Sequence, residues 1–428
     1  MNESKRCGCD EYESLNRRQF LSRSITSAAA LASAPAWLPR VSFAQSENSA
    51  RDVMVSVFLR GGGDGLTLCV PHGDNAYYTA RPSLAIPQPD SSSPNAATDL
   101  DGFFGLAPAM APLAPAFNAG DLLIVHATGS QDTTRSHFDA MKFMEVGKPR
   151  DPSLATGWLG RHLLTTAPVD PSALMRAIGI SPGLQQTLVG APLALPVPDP
   201  SAFTIFGDNG SADERVAALA AMYQSTEEPL VTSAQNTASV VALLDAIDFD
   251  GYVPAGGAQY PETGFGMALK STAALIKADL GLEAVALDKG GWDTHNAQDP
   301  IGGQMFGLMS DLAAGLEAFH LDLIANGNRN VVLTCKSEFG RTVRQNASLG
   351  SDHGHGNVMF AMGQRIAGGS VLANWPGLED GELYEGQDLD VTIDYRDILA
   401  EIVQSLLDNN DLSFVFPDFT PTFRGVTT

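Results

Sequence analysis

Four short apolar runs, each closing on glycine or polar residues, set the limits on what this 428-residue chain can fold into. They are "VMVSVFLRGGGDG" from Val53, "DLLIVHATG" from Asp121, "LEAVALDKGGWDTH" from Leu282 and "NVVLTCKSEFG" from Asn330. Unbroken apolar runs bounded by glycine read as strands buried on both faces, the kind found in parallel sheets. Between them lie helical patterns, "APAMAPLAPAF", "TGFGMALKSTAALIKADL" and "GGQMFGLMSDLAAGLEAFHLDLIA", and "YRDILAEIVQSLL" reads as a tail helix. Strand and helix in alternation predict an α/β fold with a largely parallel sheet. Two regions break the rhythm. Residues 87–101 are rich in Pro, Ser and Asn and read as a surface loop. Residues 165–260 mix prolines, short strands and an Ala-rich helix, hold no histidine, and read as an insertion or cap.

An open parallel sheet binds ligands beyond the carboxyl ends of its strands, so the polar residues there form a natural set. The first strand is followed by Asp64, and the second by Thr133, Thr134, Arg135, Ser136 and His137. The third is followed by Asp288, Asp293 and His295. The fourth leads to Glu338 and Arg341, then to Asp352, His353 and His355 within "GSDHGHGN". Four of the eight histidines fall in this set. Imidazoles and carboxylates without thiolates suit Zn, Mn, Mg or Ca. Asp64, Asp293, His295, Glu338, Asp352, His353 and His355 are therefore candidate metal ligands. Two divalent ions held a few Å apart clamp the attacking and leaving oxygens of a phosphoryl or sulfuryl transfer.

Each residue also has a plainer reading. Asp64 suits an Asx-turn, "WDTH" a helix cap, and Glu338 with Arg341 an ion pair at helical spacing. Ser136 and His137 suit the start of the helix "SHFDAMKFM". These readings must all coincide at strand ends, which favours a site. For the attacking group, Ser136 sits where a helix N-terminus favours an anion, with Thr134 and a metal-bound water as alternatives. Arg135 is positioned to grip a tetrahedral oxyanion.

The N-terminus addresses location. Arg17 and Arg18 in "NRRQFLS" precede a short Ala/Ser-rich apolar run and the small-residue pattern Ser42-Phe43-Ala44. That is a twin-arginine signal, with cleavage expected after Ala44 and the Tat translocase as export partner. The expected mature chain, 45–428, is periplasmic or secreted, and no segment approaches the length of a membrane span. Six basic and four acidic residues leave with the signal, so the formal charge of −23 becomes −25. Such a chain does not bind nucleic acid by bulk electrostatics, and an anionic ester needs a local positive focus. Cys69 and Cys335, the two cysteines of the mature chain, lie in apolar runs, and a bridge between them is undecided from sequence.

"LRGGGDGL", "TRSHFDA", "GGWDTHN", "SEFGRT" and "SDHGHGN", in this order, resemble the bacterial DUF1501 family, whose function is unknown. That family commonly carries Tat signals and is grouped with the alkaline phosphatase/sulfatase-like proteins. The resemblance implies a three-layer α/β/α sandwich, two metal ions at the strand ends, and hydrolysis of phosphate or sulfate esters. Asp64 resembles the metal-binding aspartate after the first strand of those enzymes, and Asp293 with His295 their aspartate-histidine pair, here two residues apart instead of four. The Cys/Ser-x-Pro-x-Arg signature of sulfatases is absent from the sequence. Two functions follow as expectations: an exported metal-dependent ester hydrolase, or a non-catalytic envelope binding or assembly protein that keeps the fold.

Overall fold

The computed structural model describes residues 51–203, 212–223, 227, 230–327 and 330–428. The twin-arginine segment and its cleavage site lie outside the described residues. All four apolar runs are strands of one nine-stranded sheet. Numbered along the chain, that sheet comprises β1 (Val53–Leu59), β2 (Leu122–Gly129), β3 (Ala177–Ile180), β4 (Ala194–Pro196) and β5 (Ala284–Lys289). It is completed by β6 (Val331–Ser337), β7 (Asn357–Gly363), β8 (Ser370–Leu372) and β9 (Ile393–Asp394). The spatial order is β8-β2-β7-β6-β1-β5-β3-β4, with β9 also beside β2.

The central strand shows why the runs are apolar throughout. Val53, Val55, Val57 and Leu59 of β1 face one core, Met54 and Phe58 the other. Helices α3 (Gly264–Lys277) and α4 (Gln304–Phe319) bring Leu269, Ala273, Leu312 and Leu316 to the first core. Helices α1 (His137–Val146), α2 (Trp158–Thr165) and α5 (Tyr395–Ser405) bring Met144, Leu159, Leu163, Ile398 and Ile402 to the second. A strand covered by helices on both sides has no solvent face, so its sequence does not alternate.

Part of the region expected to be an insertion, 165–260, belongs to the sheet itself. Its strands β3 and β4 extend the parallel edge, with Ala177 opposite both Ala284 and Ala194. The Pro-interrupted pattern "APAMAPLAPAF" forms a 3-10 helix over Pro108–Leu113 and a short helix over Ala114–Asn118, because proline removes the N–H that a continuous helix needs. Cys69 and Cys335 are free thiols, both buried. Burial pushes the Cys335 thiol up to about 12. No helix among the described residues is long and apolar enough to cross a membrane.

Three strands of this sheet are absent from the sequence reading: β7 and the short β8 and β9. The run "NVMFAMG" forms β7, antiparallel to both β2 and β6, while the other described pairs of this sheet are parallel. Its reversed direction places its first residue, Asn357, opposite Thr128 near the carboxyl end of β2. The loop ahead of β7, which carries "GSDHGHGN", therefore arrives at the edge where β1, β5 and β6 finish.

Candidate metal centre

The loop after β1 turns at Gly61, whose φ is 118°. A Cβ there would stand 2.7 Å from the Asp293 backbone nitrogen, so glycine lets the loops after β1 and β5 touch. The segment after β6 doubles back and forms an isolated antiparallel bridge between Arg341 and His353. Gly350 passes so close to His295 that a Cβ would lie 2.2 Å from its carbonyl oxygen. These close approaches bring residues some sixty positions apart into one cluster.

Arg341 holds the loops together. It is fully buried, and its Nε donates to the Gly62 carbonyl at 2.6 Å while Nη1 donates to the Ser351 carbonyl at 3.0 Å. Its Nη2 donates to Trp292 O at 2.9 Å, to Asp293 Oδ1 at 2.8 Å, and to the Gly61 carbonyl. The guanidinium is thus a clamp on three loops.

Around Asp293 stand three imidazoles whose tautomers follow from their partners. His137 Nδ1 faces Glu338 Oε1 at 2.7 Å, and His295 Nδ1 faces Asp352 Oδ1 at 2.9 Å. His353 Nδ1 faces the Arg135 carbonyl at 2.8 Å. A carboxylate or a carbonyl only accepts, so each Nδ1 carries a proton. All three Nε2 atoms face Asp293 Oδ1, at 3.4 Å for His137, 3.1 Å for His353 and 2.9 Å for His295. His295 and His353 also bring their Nε2 atoms within 2.9 Å of each other. His137 Nε2 is buried and makes no close hydrogen bond, its contact with Asp293 Oδ1 being the long one of 3.4 Å. Ligand atoms of His137, Asp293 and His353 lie within 4.8 Å of one another, a spacing that suits a cation.

The electrostatics agree with that arrangement. Burial opposes ionisation of Asp293, yet hydrogen bonding from His137, His353 and Arg341 outweighs it and holds the carboxyl far below its usual range. Burial likewise opposes protonation of His137, but the carboxylates of Asp293 and Glu338 outweigh it and raise the imidazole to about 9. Glu338 is buried and accepts from Gly61 N at 2.8 Å, and its carboxyl is lowered by its donors against the cost of burial. Asp293 keeps about half of its side chain exposed, so the cluster opens to solvent on that side.

Of the remaining candidates, Asp64, Asp288 and His355 have partners of their own, whereas Arg135, Thr134 and Ser136 lie just ahead of His137. Asp64 is fully buried, and its Oδ2 accepts from Arg81 Nη1 at 2.5 Å, Thr67 Oγ1 at 2.7 Å and Gln298 Nε2 at 2.6 Å. Asp288 binds Arg60 Nε at 2.9 Å. His355 stacks on Tyr384 with ring centroids 4.5 Å apart, and burial lowers its pKa. Arg135 is committed to Asp388 at 2.6 Å and Glu385 at 3.0 Å. The Thr134 hydroxyl accepts from Ser136 N at 3.2 Å. Ser136 is the N-cap residue of α1, and its hydroxyl makes no capping bond. The residue missing from the ligand set read from sequence is His137, which looked like an ordinary helix start. Its only signal was membership of the strand-end histidines.

The fold and the cluster together define an α/β protein with a histidine-aspartate centre at the carboxyl edge of its sheet. The chain belongs to a family described as proteins of unknown function, DUF1501, whose pattern matches residues 51–405. No curated protein matches it.

Two outcomes follow from this geometry. Replacing Arg341 by Met strands the buried carbonyls of Gly61, Gly62 and Ser351 and lowers unfolding free energy by about 3–5 kcal/mol, measured in denaturant. In chelator-treated protein, the His137 ring titrates near pH 9 by NMR, not near the unperturbed value of about 6.5. Because its folded pKa is raised, the stability His137 contributes is complete below about pH 6.5 and is lost as pH rises through 9.

Proposed function

We propose that this chain is a Tat-exported, metal-dependent hydrolase of phosphate or sulfate esters, built as an alkaline phosphatase-like sandwich. The observation that carries the reading is the convergence of three imidazole Nε2 atoms on one aspartate oxygen at the ligand-binding edge of the sheet. A cation there would replace the protons that the imidazoles otherwise share with Asp293, and the buried Nε2 of His137, which makes no close hydrogen bond, fits it. His137, Asp293 and His353 would hold it, with His295 adjacent. A bound divalent ion supplies Lewis-acid polarisation of an ester oxygen and positive charge for an anion.

The protein's own groups supply the rest. Ser136 offers a hydroxyl free of capping duty one residue from His137. The first-turn N–H groups of α1 and the helix dipole favour an oxyanion at the same place. Glu338 and Asp352 fix the rings of His137 and His295 by accepting their Nδ1 protons. Arg81 and Arg341 are engaged within the protein and hold the loops, while Arg135 uses only Nη2 on Asp388 and Glu385 and keeps its Nε unpartnered, so it can still turn a donor to an oxyanion. Export rests on the twin-arginine motif Arg17-Arg18.

The test is turnover of a panel of aryl phosphate monoesters, phosphate diesters and sulfate esters by Zn- and Mn-loaded protein. Asp293→Ala should lower kcat/KM by about a hundredfold or more, the loss of about 3 kcal/mol of charge stabilisation. Ser136→Ala separates attack by the hydroxyl, which it abolishes, from attack by water. Metal-loaded protein that turns over none of these esters would contradict the hydrolase and favour a binding role at the envelope.

A further inference from the structure

We infer that the centre takes one transition-metal ion of the Zn2+ class, with Glu338 and Asp352 acting as outer partners of the ligating imidazoles and not as ligands. The inference rests on the metal-dependent reading of this site, though not on ester hydrolysis. It also departs from the two ions that the sequence leads one to expect.

The first argument is the count of available donors. Glu338 Oε1 is occupied by His137 Nδ1 and Gly61 N, and Glu338 Oε2 by the Ser337 hydroxyl. Asp352 Oδ1 is occupied by His295 Nδ1 and Asn346 Nδ2. Asp64, the natural candidate for a second ion, has its Oδ2 taken by three donors, and although its buried Oδ1 has no hydrogen-bond partner, no group of three ligating side chains among the described residues includes it. His355 is stacked against Tyr384. Among the described residues, one group of side chains has metal-binding spacing, His137 with Asp293 and His353.

The second argument is spacing. Tetrahedral ligands at Zn–N and Zn–O bonds of about 2.0–2.1 Å stand roughly 3.3 Å apart. The contacts of Asp293 Oδ1 with the three Nε2 atoms are 2.9, 3.1 and 3.4 Å, and His295 to His353 is 2.9 Å. His295 faces His353 and Asp293 but lies outside the three-residue group, so its ring has to shift inward to serve as the fourth and outermost ligand. Outer carboxylates and carbonyls that hold each Nδ1–H are the usual support of ligating histidines.

The third argument is ligand chemistry. Three imidazoles and a single carboxylate oxygen suit Zn, Co, Fe or Mn, whereas Mg and Ca prefer sites made of oxygen. The test titrates chelator-stripped, full-length protein with Zn2+, Co2+, Mg2+ and Ca2+ by calorimetry, and follows Co2+ by visible absorption. One Zn2+ or Co2+ binds per chain, with Mg2+ and Ca2+ weaker by at least about a hundredfold. Asp293→Ala and His353→Gln abolish the cobalt spectrum while circular dichroism stays native. Glu338→Gln keeps a stoichiometry of one and weakens binding about 10–100-fold. Two ions per chain, Mg2+ binding as tight as Zn2+, or an undisturbed cobalt spectrum in folded His353→Gln would overturn the inference. A one-ion protein inactive on every ester would leave it standing and remove the hydrolase reading alone.

Discussion

The buried guanidinium of Arg341 is the interaction on which the rest of the site depends. It ties the Gly61-Gly62 turn after β1, the Trp292-Asp293 turn after β5 and the Ser351 turn ahead of β7 to one planar group. Removing a guanidinium from water is costly, and only a full set of well-placed acceptors offsets that cost. Here the acceptors are mostly main-chain carbonyls of glycine-rich turns, and those of Gly61, Gly62 and Ser351 would otherwise have no donor in a buried setting. Arg81 repeats the device one loop away, binding Asp64 together with the carbonyls of Thr342 and Val343. Both arginines serve to fix loop positions. Groups that bind a ligand need such a rigid support to stay within a fraction of an Å of their working positions.

The charge of the chain makes this local arrangement necessary. A protein with a formal charge of −23 repels anions at long range, and its site adds the carboxylates of Asp293, Glu338 and Asp352. Within a few Å the balance is decided by hydrogen bonding and not by net charge. Burial alone would neutralise Asp293 and Glu338, yet imidazole, guanidinium and main-chain donors keep both carboxyls below their ordinary range. Ionised Asp293 then faces three imidazole nitrogens, each able to exchange its proton for a metal ion, and that is an environment built for a cation.

Much of this was legible in the sequence, and the reasons for the rest are physical. The four long strands were readable because burial on both faces forces unbroken apolar runs. The strand-end rule then located Asp293, His295 and His353 correctly in one neighbourhood. β7 was not legible: it follows a long loop without a helix, and nothing in "NVMFAMG" reveals that it runs antiparallel. Without that reversal, "GSDHGHGN" seemed to come too late to meet the other segments. His137 was hidden because its neighbours make a good helix start, and its partner Glu338 lies 201 residues away. Asp64 shows the opposite failure. A conspicuous aspartate in a glycine turn drew attention, while the arginine that engages it, Arg81, sits in a segment with no chemical signature.

The central claim is that the carboxyl edge of this sheet holds a cation between His137, Asp293 and His353. Anomalous diffraction from crystals grown with Zn2+ tests it most directly. The account predicts one zinc peak per chain, bonded at about 2.0–2.1 Å to His137 Nε2, Asp293 Oδ1 and His353 Nε2. A chain with no peak at that position, or with its zinc bound at Asp64 instead, would contradict it.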